Sequence, residues 1–132
     1  MNLVIDTSVL IAVILTEPTK ESLVAQTVGT TLLAPLSVHW EIGNALSAML
    51  KRKRINVSQA RLALAAYEQI PIRFVDVGLE QAVALSAQLD IYAYDAYILA
   101  AALNQNCPVL SLDHGLLYAA RRVGVTVVEV NR

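Results

Sequence analysis

Short apolar runs and helix-forming stretches take turns along this chain, and that alternation leaves few folds open to it. Leu3-Val4-Ile5 is a run without a polar residue, the pattern of a strand covered on both faces. Comparable runs recur at residues 31–34, 71–77, 108–112 and 125–130. Between them lie stretches with helical spacing and helix punctuation. Thr7 or Ser8 is placed to cap a first helix to about Leu15, and Pro18 suits the first turn of a second that ends at Gly29. Ser37 opens a third helix to about Lys53, and Asn56 or Ser58 caps a fourth to about Gln69. Helices are expected next at 78–89 and at 94–104, the latter apolar on nearly every side and therefore buried. A short helix at 115–122 is broken by Gly124. Strands alternating with helices predict an α/β domain with a parallel sheet covered on both faces. In such sheets the ligand site lies beyond the carboxyl ends of the strands, where strand order reverses. Asp6 follows the first strand directly and Asp113 follows the fourth.

A length of 132 residues fits one domain, large enough to bury a core without a disulfide or structural metal. Hydrophobic residues make up 56% and charged residues only 16%, which excludes disorder and leaves room for an apolar partner surface. A net charge of -1 gives no general attraction for nucleic acid, so any such binding must rest on a local patch or on bound metal. Cys107 is the one cysteine and sits before an apolar run, the setting of a buried structural thiol. The absence of a disulfide framework suits a reducing cytoplasm. Residues 1–15 are apolar, but Asp6 interrupts them and no positive segment precedes them, so neither a signal peptide nor a membrane span is expected.

The charge map carries the functional argument. Residues 1–16, 31–50 and 91–120 make up half of the chain, yet among Asp, Glu, Lys and Arg they hold only Asp6, Glu41, Asp95 and Asp113. All ten bases lie in the other half. Ionised carboxylates in apolar surroundings are costly without a partner, and repulsion adds to the cost if they meet. A hard divalent cation removes the difficulty, because Mg2+ and Mn2+ prefer carboxylate oxygen and water, and no zinc-type His/Cys cluster is present. Taken singly, each acid also has a structural reading. Asp6 and Asp113 can cap helices, Asp95 suits the first turn of one, and Glu41 can sit on a solvated face with Ser37, Asn44 and Ala48.

At these residues the sequence resembles the PIN-domain family, and within it the VapC-type toxins of toxin–antitoxin pairs. The matching segments are Val4-Ile5-Asp6-Thr7-Ser8, Glu41-Ile42-Gly43-Asn44-Ala45-Leu46, Tyr94-Asp95-Ala96-Tyr97-Ile98-Leu99-Ala100 and Leu110-Ser111-Leu112-Asp113, in order along essentially the whole chain. The resemblance implies a three-layer α/β/α sandwich with a central parallel sheet, an acidic pocket for Mg2+ or Mn2+, and endoribonuclease activity. It implies that Asp6 and Asp95 are core metal ligands, that Glu41 and Asp113 bind metal directly or through water, and that Thr7, Ser8, Asn44 and Ser111 orient carboxylates. It further implies a small antitoxin that covers the pocket, and usually a homodimer. The expected reaction leaves a 5′-phosphate and a 3′-hydroxyl.

Lys51-Arg52-Lys53-Arg54 is the only dense basic run, open to two readings: contact with RNA, or a solvated helix end complementing the macrodipole. His39 and His114 are read as a packing residue and a surface-turn residue. Three rivals remain in view. A non-catalytic interaction module with the same fold would retain the acids for stability. A phosphoacceptor receiver domain needs an adjacent acid pair after strand one and a late lysine, whereas Thr7 and Ser8 follow Asp6 and no lysine follows Lys53. A nucleotide-binding enzyme is disfavoured, since neither a P-loop nor a GxGxxG pattern occurs.

Overall fold

The computed structural model describes residues 1–130. In chain order its elements are β1 (Asn2–Ile5), α1 (Thr7–Ile14), α2 (Lys20–Thr27), β2 (Thr31–Pro35), α3 (Ser37–Lys51), α4 (Val57–Glu68), β3 (Ile72–Val75), α5 (Leu79–Leu89), α6 (Ala93–Gln105), β4 (Val109–Leu110) and α7 (His114–Arg122). The four strands form one parallel sheet in the order β3-β2-β1-β4, flanked by helices. The chain steps from β1 to β2 to β3 in one direction and then returns to place β4 on the other side of β1. Strand order therefore reverses between β1 and β4, the kind of switch point at which open α/β sheets bind ligands.

Leu3, Val4 and Ile5 are all buried. Successive strand residues point to opposite faces, so burial of all three requires cover on both sides of β1. Helix α6 packs on β1 and β2. Its Ala96, Ala100, Ala101 and Ala102 are buried, and these small side chains let the helix lie close to the sheet. Helix α1 packs against α2, α3 and α4. Nearly all of the buried apolar residues form one contiguous cluster. Among the described residues no helix is long and apolar enough to cross a membrane.

Two expectations are corrected. Helix α1 is capped by Asp6, not by Thr7 or Ser8: β1 delivers the chain to Asp6 in extended conformation, and Asp6 Oδ1 accepts from the Val9 N–H at 3.2 Å. Thr7 and Ser8 thus fall in the first helical turn. No fifth strand forms at 125–130. Val127 makes a single parallel bridge to Val109, whose N–H donates to the Thr126 carbonyl and whose carbonyl accepts from the Val128 N–H. The cause is the length of β4, which offers too few residues to pair with. Pro108, just before it, has no N–H to donate.

Helix ends follow local chemistry elsewhere. Asn56 and Gln59 form a reciprocal capping box on α4. Helix α3 ends in a Schellman turn, with Arg54 N–H donating to the Met49 carbonyl and Lys53 N–H to the Leu50 carbonyl. That turn holds Lys53 at φ 56°, a left-handed conformation that favours glycine.

Candidate active site

Asp6 lies at the carboxyl end of β1, beside that switch point. The side chain is 6% exposed and accepts three hydrogen bonds. Ser8 Oγ donates to Oδ1 at 2.6 Å, Ser111 Oγ donates to Oδ2 at 2.6 Å, and the Val9 N–H reaches Oδ1. Each hydroxyl in turn accepts from a backbone amide of the loop after β4: Leu112 N–H to Ser8 Oγ at 3.0 Å, and Asp113 N–H to Ser111 Oγ at 2.9 Å. The turn after β1 and the turn after β4 are thereby tied together, and neither oxygen of Asp6 can rotate freely.

Asp113 sits at the N-terminus of α7, where its Oδ1 accepts from Gly115 and Leu116 N–H at 2.9 and 3.3 Å. Asp95 lies in the first turn of α6, and Glu41 projects from α3. The four acids come from four different elements, and the charges of Asp6, Asp95 and Asp113 act on their neighbours among them. Burial holds the Asp6 carboxyl above the usual range, against the lowering effect of Ser111, Ser8 and the Val9 amide, and the charge of Asp113 adds to the rise. Burial likewise raises Asp95, with Asp113 and Asp6 adding to it. Glu41 is pushed up to about 7, chiefly by burial and then by the charges of Asp6 and Asp95, while the nearby Thr7 hydroxyl opposes the shift. No hydrogen bond of ordinary geometry joins Thr7 to Glu41: Thr7 Oγ1 and Glu41 Oε1 are both buried and unpartnered among the described residues. The one ion pair among those residues, Arg121–Glu129, lies elsewhere.

Among the described residues no three His, Cys, Asp or Glu side chains stand gathered as a ready-made ligand set. The donor chemistry nonetheless suits a hard divalent cation. It is all oxygen, and among the described residues no cationic side chain pairs with it and Glu41 Oε1 is a buried acceptor with nothing to accept from.

Of the residues expected to orient carboxylates, Ser8 and Ser111 bond Asp6, while Thr7 stands beside Glu41. Asn44 lies one turn along α3 from Glu41 and makes no bond to an acid among the described residues. It lines a cavity of about 240 Å3 with Thr7, Trp40, Glu41, Ala45 and Tyr94. Trp40 and Tyr94 escape sequence reasoning, although each immediately precedes one of the acids. Lys51, Arg52, Lys53 and Arg54 are exposed at the far end of α3, roughly 15 Å along the helix from Glu41 by its rise per residue. His39 bonds Tyr67 through Nδ1, and His114 is exposed at the start of α7. Cys107 is free and half-buried, packed against the core, and burial pushes its thiol up.

The parallel four-stranded sheet flanked by helices, with strand order reversing between β1 and β4, defines an α/β class of fold. The chain belongs to the PIN domain family, whose profile matches residues 3–122. PIN domains are generally metal-dependent nucleases. A comparison with curated proteins finds no match. Several solved structures share the fold. PAE2754 from Pyrobaculum aerophilum superposes with a TM-score of 0.74 at 18% identity, over 97% of this chain and 84% of that one. VapBC2 from Rickettsia felis, bound to a DNA fragment from their promoter, gives 0.72 at 14%, over 99% and 100%. FitAcB from Neisseria gonorrhoeae gives 0.58 at 21%, over 96% of each chain.

Proposed function

We propose that the chain is a single PIN-type domain that hydrolyses RNA phosphodiester bonds with Mg2+ or Mn2+, and that it is the toxin of a type II toxin–antitoxin pair. The observation that carries this reading is that Asp6, Glu41, Asp95 and Asp113, acids from four elements, are linked through the charges of Asp6, Asp95 and Asp113, and that among the described residues no cationic side chain pairs with them. Asp6 and Asp95 would hold the metal, with Glu41 and Asp113 completing its surroundings. When bound, the ion supplies Lewis acidity, which activates a water and offsets charge at the phosphate. Ser8 and Ser111 fix the direction of both Asp6 oxygens. Glu41, whose Oε1 is buried and without a donor among the described residues, would take a proton from the attacking water. Water adds to phosphorus, the bond to the 3′-oxygen breaks, and that oxygen leaves as a hydroxyl, so the other fragment carries the 5′-phosphate.

The likeness to VapBC2 and FitAcB supports a small antitoxin as partner. The place of action in this reading is the cytoplasm, where RNA is found. Exposed apolar residues on α2 and α4, Val24 on the first and Leu62 and Leu64 on the second, offer surface for an antitoxin or for a homodimer. Incubating the protein with a panel of RNAs in Mg2+, Mn2+ or EDTA and mapping the new 5′ ends tests the activity. Metal-dependent cuts bearing 5′-phosphates are expected. No cleavage of any RNA under any condition would leave the non-catalytic interaction module instead.

In this reading the basic run grips phosphates. Replacing Lys51 and Arg52 by Gln should weaken RNA binding and reduce the salt slope by about 1.4, the value for two fewer contacts to a single strand. An unchanged slope in a binding assay across salt concentrations would assign the run to helix solvation alone.

A further inference from the structure

Beside Glu41, exposed aromatic rings are held in place by other rings. Trp40 is 68% exposed and Tyr94 is 56% exposed, in a chain with only 5% aromatic residues. Leaving such large apolar side chains in water forgoes burial that the fold could have used. Neither ring is loose. His39 packs edge-on against Trp40, with centroids 4.9 Å apart at 83°, and His39 is itself fixed by Tyr67, whose hydroxyl lies 3.1 Å from its Nδ1. Tyr97 meets Tyr94 edge-on at 6.0 Å and 87°. Between the two lies the cavity of about 240 Å3, smaller than the ~300–1,000 Å3 typical of sites for drug-sized ligands. Asn44 lies four residues from Trp40 and so on the same face of α3, and it presents both a donor and an acceptor to the cavity. Glu41 sits between them.

We infer that this cavity is a nucleobase subsite, in which one unpaired base next to the scissile phosphate stacks on Trp40 and sets its edge against Asn44. The inference rests on the nuclease reading and deepens it by assigning a stacking residue, Trp40, and an edge-reading residue, Asn44, to one base of the substrate. A base inside a duplex has no free face to offer, whereas a splayed base stacks on an aromatic ring whatever its identity. Discrimination among bases then falls to the Asn44 amide.

Trp40 is the chain's single tryptophan, so its fluorescence reports on this site alone. Titration with a short single-stranded oligoadenylate, with Ca2+ replacing Mg2+ and RNA integrity checked on a gel, should quench that fluorescence to saturation. The same strand in a duplex should not. In cleavage assays Trp40→Leu should raise KM by about 10- to 100-fold, the loss expected for one base–aromatic stack, with a smaller change in kcat, while Trp40→Phe retains most of the affinity. Equal KM values for the Leu variant and the parent would overturn the subsite and leave the nuclease reading standing. Binding seen by anisotropy of a labelled oligoadenylate without any change in tryptophan emission would also overturn it. So would an emission change produced by protein dilution alone, which would mark Trp40 as covered by a second copy. Failure to bind or cut RNA at all would remove both readings.

Discussion

Purified Asp6→Asn and Asp95→Asn proteins should each lose RNA cleavage by at least about 100-fold, since loss of a group that merely orients a ligand already costs about 10- to 100-fold. Both should unfold close to the temperature of the parent. Asparagine is nearly the same size as aspartate and caps helices as well, so the Val9 N–H keeps its acceptor at position 6 and α1 keeps its start. The neutral amide also escapes the burial that raises the Asp6 carboxyl. At position 95 the change removes a charge from the first turn of α6, a loss of about 0.3–1 kcal/mol from the helix dipole. Ser111→Ala, which takes one hydrogen bond from Asp6, should fall between the parent and the Asn variants. Rates on one RNA, read beside melting curves for the same preparations, make the check. If both Asn variants cut at the parent's rate, neither carboxylate belongs to the chemistry.

How far the fold can be read from local sequence depends on which partner decides each element. β1 is legible because three consecutive apolar residues require cover on both faces, and α6 because its apolar side chains run all round. The segment at 125–130 shares the β-branched character of a strand and does not become one. Its fate is set by β4, whose two residues leave it almost nothing to pair with. The α1 cap is a similar case. Asp6, Thr7 and Ser8 are all competent caps, and the point where β1 ends selects the first of them.

The acids of the candidate site are legible for a physical reason. An ionisable residue in a long charge-free segment has no local partner, so its cost must be met by something outside that segment. The hydrogen-bond network that holds them is not legible. Ser111 and Asp6 are 105 residues apart, and their bond exists because β1 and β4 are neighbours in the sheet. Structural and functional readings of the acids also prove compatible: Asp6 and Asp113 both cap helices while their charges act on each other. Trp40 and Tyr94 were hidden because aromatic residues in apolar helices look like core. The rings that back them are their own neighbours in the helices, His39 beside Trp40 and Tyr97 one turn from Tyr94, and only Tyr67, which fixes His39, comes from elsewhere in the chain.

Metal-free protein should lose stability as pH rises from about 4.5 to about 7, and Mg2+ should restore it. Glu41 titrates at 4.5 as an ordinary glutamate and at about 7 in the fold. Between those values the native state binds more protons than the unfolded state, so the stabilising effect is complete below about 4.5 and gone above about 7. Asp6 and Asp95, also raised, act in the same direction. The Glu41 shift alone corresponds to a ceiling of about 3 kcal/mol, reduced to the order of 1–2 kcal/mol because solvent screens a half-buried side chain. For a domain of this size that is a fall of about 3–8 °C in Tm. A cation that binds only the native state at about 100 times its Kd contributes about 2.7 kcal/mol in return. It must displace the protons, so its effect should be large near pH 8 and small near pH 5. Glu41→Gln separates this cause from general acid effects. In EDTA near pH 8 that variant should melt above the parent, and it should also lose most of the Mg2+ response and the RNA cleavage. Stability and activity would then move in opposite directions at one atom position, as expected where a fold tolerates repulsion for the sake of a site. A parent protein whose melting temperature ignores Mg2+ near pH 8, or a Gln variant no more stable than it in EDTA, would show that Glu41 is solvated and not part of an acidic cleft.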